Sequence, residues 1–306
     1  MKSKTKGNLL LLMTTLIWGS TFVAQDKAMA YIGPYTFQTV RSIVGAAVLV
    51  PVILFFDVQR KKQQDFTPAT KKDTLYLLRA GVVCGFFLAV ASCFQQVGIA
   101  VGTGAGKAGF ITAMYIFFVP ILGLALKKKV QPHVWGCVVL GAAGLYFLCI
   151  QKGSLDFELG DLLVLGSAFA FGFQILAVDH YAPRVTDCIK LASLQFLFSG
   201  LFSAIPMLIT ENRLDPSALL DASGYILFAG VLSCGVAYTL QIVGQKYTEP
   251  TIASLIMSLE AVFATLAGIV VPPHEIPTLR EFFGCALMFV AILLAQVNFP
   301  INKRKE

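Results

Sequence analysis

The chain has 306 residues, of which 57% are hydrophobic and only 13% are charged. Soluble domains carry about 25% charged residues, and a soluble core cannot bury this much apolar surface. The mean hydropathy of +0.75 therefore excludes a soluble class and indicates an integral membrane protein. The net charge of +7 does not indicate nucleic-acid binding, because the basic residues lie mostly between the apolar segments.

Ten apolar segments of about 20 residues follow one another, each long enough to cross a membrane as a helix. They are residues 8–25, 34–56, 75–100, 104–126, 132–150, 160–179, 188–209, 222–243, 250–271 and 279–298. The short connections leave little room for a soluble domain, and the alternating pattern of a membrane β-barrel is absent. The sequence predicts an all-α integral membrane protein with ten transmembrane helices.

The distribution of Lys and Arg predicts how the chain is oriented. With the N-terminus in the cytoplasm, the cytoplasmic segments hold 16 of the 24 basic residues and the external segments hold four. The cytoplasmic set is Lys2, Lys4, Lys6, Arg60, Lys61, Lys62, Lys71, Lys72, Lys127, Lys128, Lys129, Arg184, Lys246, Lys303, Arg304 and Lys305; the external set is Lys27, Lys152, Arg213 and Arg280. Because cytoplasmic loops are enriched in basic residues, both termini are predicted to be cytoplasmic.

An internal repeat divides the ten segments into two halves. Residues 7–26 and 160–179 share seven identities in twenty ungapped positions, and Phe94–Gly98 weakly matches Leu240–Gly244. Because each half has an odd number of helices, the second half must enter the membrane inverted. Inverted repeats are typical of secondary transporters, whose substrate site lies near the midplane between the halves. The predicted repeats span residues 7–151 and 160–298.

Three stretches and one arginine resemble the drug/metabolite transporter superfamily, in its EamA-type branch. They are IWGSTF (17–22), Arg41, KAGFITAMYIFFVP (107–120) and SLEAVFA (258–264). The resemblance implies a ten-helix permease of the bacterial inner membrane, often an exporter of amino acids or related metabolites. The chain departs from the family pattern at Ala261, at Lys127-Lys128-Lys129 and at PPHE (272–275), where the family often has a proline, a Gly-Glu pair and a different end to segment nine.

Three of the charged residues inside the predicted segments are candidate functional residues, because a charge in the membrane costs about 3 kcal/mol. Arg41 lies about 10 Å deep in segment two, Lys107 lies in the first turn of segment four, and Glu260 lies about 15 Å into segment nine. Glu260 either locks segment nine to a neighbour or serves a substrate amine or a proton, because low dielectric disfavours the charged carboxylate. Arg41 and Lys107 either offset Glu260 or hold a substrate carboxylate. Arg41 also fits a role in tying segment two into the bundle, and Lys107 can extend outward to the membrane surface.

Twelve uncharged side chains complete the predicted substrate pathway. They are Trp18, Ser20, Thr21, Gln25, Gln95, Thr112, Tyr115, Gln174, Tyr238, Gln241, Ser254 and Ser258. Aromatic rings beside hydrogen-bonding amides suit small amphipathic solutes. Taken singly, each of these side chains also fits an ordinary hydrogen bond between helices.

Other functional classes lack their motifs. The stretch GTGAGKAGF (102–110) is glycine-rich, but Val101 and Ala108 replace the first glycine and the hydroxyl of a P-loop. It is predicted instead to form the external turn before segment four, with Gly106 and Gly109 giving that helix a small-residue packing surface. H-E-x-x-H and G-x-S-x-G motifs are absent, and the seven cysteines and His133, His180 and His274 are dispersed. No enzyme activity, metal or cofactor is predicted.

The sequence predicts a secondary permease that exports a small metabolite such as an amino acid by alternating access. A proton gradient or the solute gradient itself would drive it, and its predicted partners are a small-molecule substrate and the lipid bilayer, without nucleic acid. The alternative is a receptor or assembly protein on the same fold that carries no solute. The repeat favours transport, because two similar halves allow access to alternate.

Overall fold

The structure is a computed structural model that describes residues 2–62, 70–128, 130–149, 158–211, 215–270 and 278–295. Several residues used in the sequence predictions lie outside these ranges: Lys129, Lys152, Arg213, His274, Lys303, Arg304, Lys305 and the PPHE stretch. Within the described ranges the chain is all-helical, as predicted.

Fourteen α-helices, a 3₁₀ turn at Ala182–Arg184 and a π-helical segment at Phe228–Ala237 make up most of the described chain. The α-helices are α1 (Lys2–Ala28), α2 (Pro34–Lys62), α3 (Lys71–Ala100), α4 (Ala105–Ala113), α5 (Tyr115–Ala125), α6 (Pro132–Cys149), α7 (Leu159–Tyr181), α8 (Cys188–Thr210), α9 (Pro216–Asp221), α10 (Ser223–Leu227), α11 (Tyr238–Gln245), α12 (Pro250–Met257), α13 (Glu260–Val270) and α14 (Leu279–Ala295). Every predicted segment is helical over most of its described residues.

Eight helical spans in the described chain are long and apolar enough to cross a membrane. They are Lys4–Ala28, Pro34–Lys62, Lys71–Ala100, Ala105–Ala125, Leu159–Arg184, Cys188–Thr210, Ser223–Gln245 and Pro250–Ala267. A shorter apolar helix, Pro132–Phe147, lies within α6. The chain is therefore a multi-pass membrane protein, and the count of ten spans stays a prediction.

Two helices that were predicted to be continuous are broken near their centres. Between α4 and α5, Met114 N–H donates to Ile111 O at 3.1 Å and Phe117 N–H donates to Met114 O at 3.0 Å, a tighter 3₁₀ step. Between α12 and α13, the Ser258 hydroxyl donates back to Leu255 O at 2.8 Å. Such competition for a backbone carbonyl bends helices. The breaks place Tyr115 and Glu260, at the starts of α5 and α13, in the middle of the bundle.

The predicted eighth segment is also not a continuous α-helix, because its middle is the π-helical segment. Thr14 of α1 donates its hydroxyl to Ala237 O at 3.1 Å, at the end of this segment. A side chain that inserts into the backbone ladder is a known cause of helix distortion. The π-helical segment leads directly into α11, which lines both cavities described below.

The bundle is apolar on its outside and polar at its centre. Leu54, Phe55 and Ile209 are exposed on the outer surface, whereas Gln174 and Gln241 are fully buried. Because lipid solvates apolar side chains and cannot hydrogen-bond to amides, this arrangement is the one expected for a membrane protein. The main contacts pair α3 with α7 and α8, α2 with α8, and α6 with α14.

Two close helix crossings use glycines that are equivalent in the sequence repeat. A Cβ atom added to Gly7 of α1 would lie 2.9 Å from the carbonyl oxygen of Gly244 in α11. A Cβ atom added to Gly160 of α7 would lie 2.8 Å from the carbonyl oxygen of Gly98 in α3. Only glycine allows backbones to approach this closely, so α1 crosses α11 as α7 crosses α3.

A side-chain hydrogen bond follows each of these glycine crossings. Thr248 donates its hydroxyl to Asn8 Oδ1 at 3.0 Å, next to the first crossing. Thr103 donates its hydroxyl to Asp161 Oδ1 at 3.0 Å, next to the second. Asn8 and Asp161 each follow the crossing glycine, Gly7 or Gly160. Both crossings therefore have a side-chain oxygen that accepts a hydrogen bond from a threonine, and they differ in the charge of Asp161.

One end of the bundle, here called the basic end, collects the start of α1, the ends of α2, α5, α7 and α11, and the starts of α3, α8 and α12. Arg60 of α2 pairs with Asp187 at the start of α8 at 2.8 Å, and Lys190 of α8 pairs with Asp57 of α2 at 2.8 Å. Lys128 and Lys246 lie at this same end. The other end of the bundle is called the opposite end.

The glycine-rich stretch forms the predicted turn at the opposite end. Gly102 has a φ of +117°, a conformation that side chains other than glycine rarely adopt. The predicted packing role of Gly106 is wrong, because a Cβ atom there would meet nothing within 4 Å. Gly109 only makes ordinary contact with the Phe22 ring at 3.6 Å, measured from an added Cβ atom. Of the two predicted glycines, only Gly109 is buried in the packing of α4, together with Ala108 and Ala113.

Candidate functional site

A small enclosed cavity lies at the centre of the bundle, with a volume of about 30 Å³. It is lined by Trp18, Thr21, Phe22, Gln25, Arg41, Gln95, Thr112, Tyr115, Phe171, Gln174, Ile175, Ser233, Tyr238, Gln241 and Glu260. These residues come from α1 to α5 and from α7, the π-helical segment, α11 and α13. Both halves of the sequence therefore contribute to one polar site, here called the central cavity.

Arg41 supplies a positive charge to the central cavity and is only 5% exposed. Its Nε donates to Gln38 Oε1 at 2.7 Å and its Nη1 donates to Gln25 Oε1 at 2.9 Å, while the guanidinium lies 5.2 Å from the Phe37 ring centroid. These bonds fix the guanidinium between α1 and α2. Because arginine has five N–H donors, the rest of the group remains able to bind an acceptor such as a carboxylate.

Glu260 supplies a negative charge to the same cavity from the first residue of α13, and it is 3% exposed. The Tyr115 hydroxyl lies beside its carboxyl group. Glu260 Oε1 and Tyr115 Oη make no hydrogen bond of normal geometry among the described residues, so the Tyr115 hydroxyl satisfies this carboxyl group only in part. A buried carboxylate oxygen without a partner is costly, so a proton or a substrate ammonium would stabilise this site.

Aromatic rings enclose one side of the central cavity. The Trp18 ring lies 4.6 Å from the Tyr238 ring and the Phe196 ring lies 5.0 Å from Tyr238, measured between centroids. Trp18 Nε1 is buried without an acceptor among the described residues. The site therefore offers an apolar surface together with an unused N–H donor.

A chain of glutamines crosses the bundle beside the cavity. Gln241 of α11 donates to Gln174 of α7 at 3.2 Å, and Gln174 donates to Gln195 of α8 at 3.3 Å. Gln241 Oε1 and Gln195 Nε2 have no partner among the described residues. The amides tie three helices together, and the unpartnered Oε1 of Gln241 lies on a residue that lines the central cavity.

Nine of the twelve uncharged residues predicted for the pathway line the central cavity, together with Arg41 and Glu260. The other three, Ser20, Ser254 and Ser258, lie outside it and donate to the carbonyls of Ile17, Thr251 and Leu255 on their own helices. The structure thus brings most of the predicted set together, and their role in binding stays a prediction. Phe22, Phe171, Ile175 and Ser233 also line the cavity and were not predicted.

Lys107, the third predicted charge, does not line the central cavity and does not offset Glu260. Its Nζ lies 2.6 Å from Asp161 Oδ2, and Thr103 binds the other oxygen of the same carboxylate. Asp161, whose side chain is 1% exposed at the start of α7, was not among the predicted site residues. The residues join the start of α4 to the start of α7 at the opposite end, so Lys107 ties helices together there.

Replacing Lys107 with Met is expected to destabilise the protein by about 1–3 kcal/mol, because a buried carboxylate then loses its counter-charge. The loss is smaller than for a fully buried pair, since Lys107 is 46% exposed. The double variant Lys107→Met/Asp161→Asn is expected to regain most of this stability. The melting temperature in detergent measures the loss in the single variant and the recovery in the double variant. Equal melting temperatures for the wild type and the single variant would contradict the pairing.

A larger cavity of about 430 Å³, here called the vestibule, opens at the basic end. It is lined by Val119, Gly123, Lys128, Val130, Gln131, Val134, Asp179, Pro183, Gln245, Lys246, Tyr247, Thr248, Glu249, Pro250 and Thr251. Lys128 and Asp179 form an ion pair in its wall. The vestibule is of the size at which proteins bind organic solutes, whereas the central cavity has room for about two water molecules.

The sequence model of the EamA-like transporter family matches residues 5–150 and 158–296. The chain belongs to the EamA-like transporter family. An uncharacterized transporter of Archaeoglobus fulgidus is 31% identical over 294 residues, which cover 94% of this chain and 85% of the relative. The uncharacterized transporter YoaV of Bacillus subtilis is 25% identical over 307 residues, covering 96% of this chain and 97% of YoaV.

A solved crystal structure has the same fold as this EamA-like protein, with a TM-score of 0.73 at 18% identity over 95% of this chain and 96% of that one. The resemblance to the drug/metabolite transporter superfamily is thus confirmed. The EamA-like protein is a multi-pass membrane transporter, and the names of its family and relatives point to transport rather than to catalysis.

Proposed function

We propose that this EamA-like transporter is a secondary carrier for small zwitterionic solutes such as amino acids. The observation that carries the proposal is the enclosed central cavity, which holds both the Arg41 guanidinium and the Glu260 carboxyl group. The two groups form no ion pair within the described chain. A zwitterion, with a carboxylate for Arg41 and an ammonium for Glu260, is the solute class that complements both charges.

The carrier works by alternating access between two inverted repeats, residues 7–151 and 160–298. The equivalent crossings of α1 on α11 and of α7 on α3 support this arrangement. A third equivalence also supports it, since Gly19 packs closely on Phe263 of α13 as Gly172 packs on Phe118 of α5. Carriers built from inverted repeats bind substrate near the midplane, and their broken helices meet the substrate there. The breaks at Met114 and at Ser258 lie at that level.

Both termini lie in the cytoplasm, and the protein belongs in a bacterial cytoplasmic membrane. The charge asymmetry of the sequence supports this orientation, and Lys6, Arg60, Lys128 and Lys246 gather at the basic end in support of it. The vestibule then faces the cytoplasm. In this conformation, the vestibule is then the side from which cytoplasmic solute would approach the central cavity.

Proton coupling would act through Glu260. Its carboxyl group is buried, and Oε1 has no partner among the described residues. A proton and a substrate ammonium therefore compete for the same group, which links proton movement to solute movement. No cofactor, metal or catalytic group is part of the proposal.

Counterflow in proteoliposomes tests this function. Vesicles preloaded with an unlabelled amino acid are expected to accumulate the labelled solute transiently, whereas protein-free vesicles are not. A panel of amino acids, their decarboxylated amines and their carboxylic-acid analogues identifies which charges the site requires. The alternative, a receptor on the same fold, binds a ligand without exchange, so ligand-induced stabilisation without counterflow would favour it.

A further inference from the structure

The vestibule and the central cavity are separated by a barrier that is one helical turn thick. On each of three helices, one residue lines the central cavity and the residue four positions later lines the vestibule. These pairs are Tyr115 and Val119 on α5, Ile175 and Asp179 on α7, and Gln241 and Gln245 on α11. Four residues of an α-helix rise about 6 Å, so this barrier, here called the septum, is thin.

A second barrier separates the central cavity from the opposite end. Gln95 lines the central cavity, and Thr103 lies eight residues further along the chain at the opposite end. α3 continues for only five residues beyond Gln95, to Ala100, which is about 7.5 Å of helix, and Thr103 lies in the turn that follows. The barrier also contains the Arg41 bonds to Gln25 and Gln38 and the pairing of Lys107 with Asp161. The route to the opposite end is therefore crossed by these charged and polar contacts, whereas the septum is crossed by single turns of α5, α7 and α11.

A solute can reach the central cavity from the vestibule only if the septum opens. The vestibule holds about 430 Å³ and the central cavity holds about 30 Å³. The central volume is too small for any amino acid, so Arg41 and Glu260 meet a solute only after the surrounding helices separate. The question is which contact across the septum has to break.

Two side-chain hydrogen bonds join α11 to α7: Gln241 binds Gln174 at the central cavity, and Gln245 forms the bond within the septum. Gln245 donates its Nε2 to the carbonyl oxygen of Ile175 at 3.0 Å. Gln245 lines the vestibule and Ile175 lines the central cavity, so this bond spans the barrier. Gln245 is 2% exposed, and its Oε1 has no partner among the described residues.

We propose that the seam between α11 and α7 is the gate between the vestibule and the central cavity, with the Gln245 amide as its latch. The proposal rests on the proposed carrier function. The π-helical segment that leads into α11 supplies a place where this helix can bend, since π-helical turns recur at functional sites. Gln245 is thus a positioning residue, which holds the route shut until α11 moves.

The latch is tested by the chemical accessibility of the central cavity. The native cysteines are replaced by alanine, and Ser233→Cys provides a nearly isosteric reporter in the cavity lining. Gln245→Met removes the hydrogen bond at similar volume, and Gln245→Asn shortens the amide if the first variant folds poorly. Gln131→Met is the matched control, because Gln131 lines the same vestibule but lies before α6, outside the seam between α11 and α7.

Membrane vesicles of both orientations are treated with a membrane-impermeant cationic methanethiosulfonate reagent. The parent reporter protein is expected to react faster from the vestibule side. Gln245→Met and Gln245→Asn are expected to raise that rate about 3- to 10-fold, which corresponds to the loss of one neutral hydrogen bond. Gln131→Met is expected to react at the parent rate, and the rate from the opposite end is expected to stay constant.

Faster reaction of the parent from the opposite end would overturn the gate. Unchanged rates in both Gln245 variants, or an equal rise in Gln131→Met, would overturn the latch. The measurement requires no transported solute. If counterflow is absent while the reaction rates follow the expected pattern, the carrier proposal fails and the opening of the seam stands.

Discussion

Replacing Glu260 with Gln is expected to reduce counterflow of a zwitterionic solute and to remove its dependence on pH. Glutamine has nearly the same shape as glutamate, but it carries no charge and does not titrate over the pH values of the assay. An ammonium that loses its charged partner loses about 1.5–3 kcal/mol of binding, which corresponds to a roughly 10- to 150-fold rise in the half-saturating concentration. Initial counterflow rates over a range of solute concentrations and pH values measure both effects.

Glu281→Gln is the matched control for this experiment. Glu281 accepts hydrogen bonds from Thr278 at the start of α14 and lines neither cavity. The control is expected to keep the wild-type rate and pH dependence. If Glu260→Gln reaches the membrane at the wild-type level and shows normal rates and pH dependence, Glu260 only locks α13 in place.

The positions of the helices follow from the sequence because lipid imposes a simple rule. A backbone in lipid must satisfy its own hydrogen bonds, so a long apolar run is a helix. The same rule explains why most of the predicted polar set converges. Side chains such as Gln174 and Gln241 cannot face lipid, and in a bundle the remaining direction is the shared centre.

The breaks in the helices do not follow from the sequence. Neither Met114 nor Leu259 is a glycine or a proline, so neither position carries a breaker signal. The Ser258 hydroxyl donates to the carbonyl of Leu255 on its own helix instead of facing the cavity. Which of these two arrangements forms depends on how α12 packs. Polar residues that bind their own backbone look the same in the sequence as those that face a cavity.

The sequence alone also does not identify the partner of Lys107. Asp161 lies at the end of another predicted segment, where a carboxylate has an ordinary explanation as a helix cap, and it does bond to Glu158 N–H at 2.9 Å. The packing of α4 on α7 in the folded bundle brings Lys107 and Asp161 together. Apolar lining residues such as Phe171 and Ile175 were missed because they resemble core residues in every respect except their position.

Replacing Arg41 with Met is expected to reduce selection of the solute carboxylate. If the guanidinium binds this group, counterflow of an amino acid should fall about 10- to 150-fold, by the loss of a charge-assisted bond. Counterflow of the decarboxylated amine of the same solute should change little. The measured quantity is therefore the ratio of the two rates, which a loss of folded protein does not alter.

The structural role of Arg41 produces a different signature. The guanidinium satisfies the buried oxygens of Gln25 and Gln38, so its removal destabilises the bundle by roughly 1–3 kcal/mol whatever the solute. Arg41→Lys keeps the charge but cannot reproduce the fork that holds both amides, so it should retain selectivity while losing stability. Arg79→Met is the control: it removes an exposed arginine from α3 and should change neither the rate ratio nor the melting temperature. A lower melting temperature with an unchanged rate ratio in Arg41→Met would show that Arg41 only ties α2 to α1.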